Sequence, residues 1–111
     1  MPILAVKLKN AIRAASPETV GTLEFKLRNI VINGCKRGCS GFVRNSANNA
    51  VVYVTTEEPA YSTLHYMYRY ADNMSDYKGY MNRWADTLDE LAKNIAELLR
   101  RPVSEAHDFR I

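Results

Sequence analysis

Cysteine is scarce in this chain. Its 111 residues include only Cys35 and Cys39, too few for the disulfide framework of a small secreted fold. Histidine is equally rare, so a four-ligand zinc site would need both cysteines together with His65 and His107. Long apolar runs are missing as well: the first, Ile3 to Val6, is broken by Lys7 and Lys9, and no segment approaches the ~18 residues of a membrane span. These absences lead us to expect a cytoplasmic protein that does not enter a membrane. Catalytic signatures are absent too. There is no glycine-rich phosphate loop, no Gly-x-Ser-x-Gly elbow and no His-Glu-x-x-His. The expectation is a protein that is not an enzyme and uses no cofactor. What the chain does contain, 47% hydrophobic and 24% charged residues, suits an ordinary globular domain.

Acidic residues are few in the first half. Residues 1–50 hold eight Lys and Arg against Glu18 and Glu24, a net +6, whereas residues 51–111 carry a net −3. The modest overall +3 therefore conceals a basic half that could steer toward nucleic acid or an acidic protein. A solvated face that keeps the protein soluble would account for the same distribution.

Periodicity divides the chain into elements. Leu4, Leu8, Ile12 and Ala15 recur at helical spacing and predict a helix over residues 3–15. Ser16-Pro17-Glu18-Thr19 reads as a tight connection or a one-turn helix start. From Thr22 the period becomes two, with Leu23, Phe25 and Leu27 on one face and Glu24, Lys26 and Arg28 on the other, continued by Ile30 to Ile32. A helix through Val20, Leu23, Leu27 and Ile30 competes, but leaves Phe25 and Ile32 off its stripe. Asn33-Gly34 signals a turn, and Gly38 and Gly41 bracket a second. Residues 41–44 and 51–56 read as strands joined at Asn48-Asn49. Residues 62–70 suit a strand through alternating tyrosines, although Tyr61, Leu64, Tyr68 and Ala71 would also fit a helix.

Tyr77, Met81, Trp84, Leu88, Leu91, Ile95 and Leu98 follow steps of four and three, which predicts a long amphipathic helix over residues 76–101, with Gly79 as its soft point. The expected fold is therefore α+β: an N-terminal helix, an antiparallel meander of three or four strands, and the long C-terminal helix packed on the sheet. Residues 1–102 would form the single domain and 103–111 a polar tail, with Phe109 and Ile111 able to dock.

Three constellations could carry function. Cys35 and Cys39 flank Lys36-Arg37-Gly38, and zinc would need Cys35, Cys39, His65 and His107 to converge. The spacing lacks the paired ligands of structural zinc sites, so the expectation is a turn whose cysteines pack or sit idle, without metal. Lys36 and Arg37 project from a glycine-rich tip that could approach phosphate or an acidic groove, with Lys26, Arg28 and Arg44 extending the patch. Six of the seven tyrosines fall between Tyr61 and Tyr80. We assign Tyr77 and Trp84 to the core, and Tyr61, Tyr66 and Tyr70 to an interface.

The span Gly34 to Thr56, with Gly38-Cys39 and Gly41-Phe42 ahead of an apolar strand, resembles the glycine-aromatic hairpins of antirestriction proteins. In size and aromatic content the chain is similar to accessory proteins of bacteriophages and mobile elements. The resemblance implies a phage-encoded inhibitor that occupies a site on a host protein or nucleoprotein complex without turnover. Many such inhibitors are acidic imitators of DNA, and this basic chain departs from that pattern. A nucleic-acid-binding module is the second expectation, and a homodimer joined through the C-terminal helix is the third.

Overall fold

Leu8 and Ile12 lie one turn apart on the inner side of helix α1 (Ala5–Ala15), where both are fully buried. This structure is a computed structural model and describes residues 2–57, 65–106 and 108–110. Leu4, at the α1 N-cap, has no side-chain oxygen to offer the first turn. Asn29 supplies it from the sheet, its Oδ1 accepting from the Ala5 N–H at 2.8 Å. A 3-10 turn, Pro17–Thr22, then leads into the sheet.

Five strands form an antiparallel meander in chain order: β1 (Leu23–Ile32), β2 (Cys35–Asn45), β3 (Ala50–Thr55), β4 (Tyr66–Ala71) and β5 (Arg83–Ala85). The predicted meander is present, with one strand more than expected. Ile32 pairs with Cys35, so Asn33-Gly34 is a two-residue hairpin loop with φ of 51° and 77°, as Asn-Gly favours. Gly38 and Gly41 do not bracket a second turn. Both stand within β2, and Gly41 is required there because a Cβ would lie 1.9 Å from the Lys26 carbonyl oxygen on β1. Residues 66–70 are strand as expected, whereas Tyr61 and residues 62–64 lie outside the described residues.

The long C-terminal helix is not formed. Residues 72–82 make a loop, Arg83–Ala85 become β5, and the helix, α2, spans only Leu88–Leu98. Two local causes are visible. Gly79 adopts φ of 59°, outside helical space, and Thr87 starts a new helix by accepting from the Glu90 N–H at 3.1 Å. The spacing of Tyr77, Met81 and Trp84 was in phase with the true helical stripe without belonging to it. Leu91 and Ile95 from that stripe are fully buried in the chain's own core.

Helices α1 and α2 contact each other and cover one sheet face, burying Val43, Val52, Val54 and Tyr68 beneath them. A short helix, α3 (Val103–Ala106), precedes the tail. Among the described residues no helix is long and apolar enough to cross a membrane.

Candidate binding surface on the open sheet face

Strand alternation that sends Leu23, Phe25 and Leu27 toward the helices sends Glu24, Lys26 and Arg28 to the opposite face. Neighbouring strands add Ser40, Phe42 and Arg44 from β2, Val51 and Tyr53 from β3, Met67 and Arg69 from β4, and Trp84 from β5. Phe42, Val51 and Ala71 form a second, smaller apolar cluster here, with Tyr53 and Met74 against it. The 72–82 loop supplies its cover. Tyr77 meets Phe42 edge-on with ring centres 5.2 Å apart, and Tyr53 at 5.9 Å. Beside them the Arg69 guanidinium lies 4.6 Å from the Tyr53 ring centre and donates to the Tyr77 carbonyl.

Asp76 organises this loop. Its carboxylate accepts from the Asp72 N–H at 2.8 Å and the Gly79 N–H at 3.0 Å, and receives both terminal nitrogens of Arg110. The Arg110 hydrogen bonds, helped by those backbone donors, hold the buried Asp76 carboxyl well below the usual carboxylate range. Arg110 also pairs with Asp72 at 2.8 Å, and the Met81 N–H donates to the Phe109 carbonyl at 3.1 Å. Phe109 and Arg110 are thus strapped across the loop. A hydrogen bond to Asp72 pushes the Tyr80 phenol up.

Between β1, β2 and Tyr77 lies an open cleft of about 200 Å³, lined by Lys26, Arg28, Ser40, Gly41, Phe42 and Tyr77 among others. The Lys26 ammonium donates to the Met74 carbonyl at 3.3 Å, which ties the loop to the cleft wall. Lys36 and Arg37 stand exposed beside the Asn33-Gly34 turn. Among the described residues Arg28, Lys36 and Arg37 make no ion pair. Arg44 differs from these three: it is held by Glu24 at 3.0 Å and also by Asn49.

The two aromatic assignments are reversed. Tyr66 and Tyr70 are buried, at 7% and 1% exposure, whereas Tyr77 and Trp84 are 62% and 57% exposed. Tyr70 serves the fold, its hydroxyl donating to the Leu98 carbonyl at 2.9 Å and the Arg101 carbonyl at 3.2 Å, and its burial pushes the phenol up. Alternation put Tyr66 and Tyr70 on one face without saying which. Two signals for Tyr77 and Trp84 lay in the sequence, in Gly79 as a breaker and in Thr87-x-x-Glu90 as a helix start.

The zinc quartet is not assembled among the described residues, where no cluster of three His, Cys, Asp or Glu could hold a metal. Cys39 is buried on the helix side with its Sγ 3.5 Å from the Thr56 hydroxyl, and burial pushes its thiol up, away from the thiolate a metal needs. Cys35 is exposed at the hairpin end, His65 pairs with Asp86 at 2.5 Å, and His107 lies outside the described residues.

No family model, curated protein or solved structure matches this chain.

Proposed function

We propose that this protein is a non-enzymatic binding module that docks the acidic surface of a macromolecular partner through the β1–β2 hairpin. One observation carries the reading, the uneven use of charge. In the acidic half five of the seven bases, Arg83, Lys93, Arg100, Arg101 and Arg110, pair with a carboxylate. On the hairpin Arg28, Lys36 and Arg37 have no such partner among the described residues, and Lys26 meets only a neutral carbonyl. Unpaired cations on one protruding element create a directed positive potential, which speeds and orients encounter with an acidic surface.

The cleft favours binding over turnover: among the described residues its charged lining is cationic, with no carboxylate or histidine to act as a base. The resemblance to antirestriction hairpins agrees with a stoichiometric, phage-encoded inhibitor of a host protein or nucleoprotein complex. The test is affinity capture from bacterial lysate, with and without nuclease, using the chain and its Lys36→Glu plus Arg37→Glu variant. A salt-sensitive partner retained by the first and lost by the second is expected. Equal capture by a folded double variant overturns the assignment of the tip.

A further inference from the structure

We infer that the open-face cleft takes an unpaired nucleotide, its phosphate against Lys26 and Arg28 and its base against Tyr77, which makes a single-stranded nucleic acid the acidic partner. The inference rests on the docking role of the hairpin and names the class of partner that role would serve.

Three features of the cleft converge on this chemistry. Its wall on β1 is cationic, and Arg28 has no ion-pair partner among the described residues, so phosphate would meet an uncommitted charge there. Its other wall is an aromatic ring. Tyr77 is held edge-on by Phe42 and Tyr53 yet remains 62% exposed, a fixed ring available to a flat apolar surface. Its volume of about 200 Å³ falls below the ~300–1,000 Å³ of pockets that enclose a whole small molecule, and suits one base or one phosphodiester of a longer chain. Ser40 adds a hydroxyl between the two walls that makes no hydrogen bond among the described residues.

Cation and ring together separate the candidate partners. The carboxylates of an acidic protein would engage Lys26 and Arg28, but the negative face of the Tyr77 ring repels rather than holds an anion. A duplex keeps its base faces stacked, and presents phosphates and base edges but no face for the ring. A single strand offers both, and proteins that bind single strands combine cationic tracks with stacking rings. Trp84, 57% exposed on the same face of β5, gives the strand a second ring beyond the cleft.

The experiment measures fluorescence anisotropy of the full chain with a labelled oligothymidylate, the matching duplex, and labelled polyglutamate as a stand-in for an acidic protein. The single strand is expected to bind more tightly than either. Tyr77→Leu should weaken that binding about tenfold or more while Tyr77→Phe retains it. Arg28→Ala should lower the slope of log affinity against log salt by about 0.7, the value for one phosphate on a single strand. Lys7→Ala, on the remote exposed side of α1, should change neither readout. A single strand bound no better than polyglutamate, or a folded Tyr77→Leu protein of unchanged affinity, overturns the inference. If polyglutamate binds through Lys36 and Arg37 while the single strand does not, the nucleotide site fails and the docking reading stands. If neither anion binds at low salt, both fall.

Discussion

At the scale of single residues, Asp76 is the group whose ionisation the structure uses most directly. Four donors from Arg110 and the loop backbone converge on its carboxylate and keep it ionised in the folded protein. Its folded value lies below the ordinary ~3.9 of an aspartate. The stabilisation it gives is therefore complete above that value and drains away as pH falls below it. The loop carrying Tyr77 should hold its structure through neutral and mildly acidic conditions and loosen only below about pH 4. The Gly79 amide reports this in a pH series of NMR spectra. In Asp76→Asn that acid transition should vanish, with the loop already altered at neutral pH. Gly41 is a second residue with no tolerance for change. Gly41→Ala would drive a methyl into the β1 backbone at a φ of 147°, and should lower stability by at least about 2 kcal/mol in urea unfolding.

Elements are where the sequence was both clear and misleading. The alternation of β1, the Asn33-Gly34 turn and the Leu8–Ile12 stripe of α1 were legible because each obeys one period over enough residues to be counted. Strand β5 was not, since three residues carry no period of their own. The loop before it was hidden for a different reason. Tyr77, Met81 and Trp84 matched the helical stripe that follows them, and only Gly79 and Thr87 opposed that match. The same error inverted the site, sending Tyr77 and Trp84 to the core and leaving Tyr66 and Tyr70 outside. The cations of the hairpin were legible by charge alone, whereas the cleft beside them depends on a loop that only tertiary packing positions.

Gly79→Ala separates the two element structures. In a continuous helix it would stabilise by about 1 kcal/mol, through helix propensity. In the observed loop it should destabilise, because the added Cβ meets Arg69 Nε at 2.4 Å with φ at 59°. Thr87→Ala, at the true helix start, should cost about 1 kcal/mol. Thermal melts of the two variants check both outcomes.

At the scale of the whole molecule, the sheet has two unlike sides. Helices and tyrosines seal one, and the other combines a clamped loop with a cationic edge. The net charge of +3 says little about this arrangement, because five of the seven bases in residues 51–111 are already paired with carboxylates within the fold. Two charge-reversal variants make the distinction measurable. Lys36→Glu plus Arg37→Glu and Arg100→Glu plus Arg101→Glu each take the chain from +3 to −1. If overall charge governed association, both would weaken binding of an anionic partner equally. Arg100 and Arg101 already face Glu97 near the end of α2, and Glu18 lies 4.0 Å from Arg100, so two carboxylates offset their two charges there. Reversing them should leave the affinity for an anionic partner within about twofold, while reversing Lys36 and Arg37 should reduce it tenfold or more, since neither of these two pairs with a carboxylate among the described residues. Association rates measured at low and moderate salt decide the matter. Equal losses from the two variants would mean that the hairpin is only one part of a diffuse positive charge.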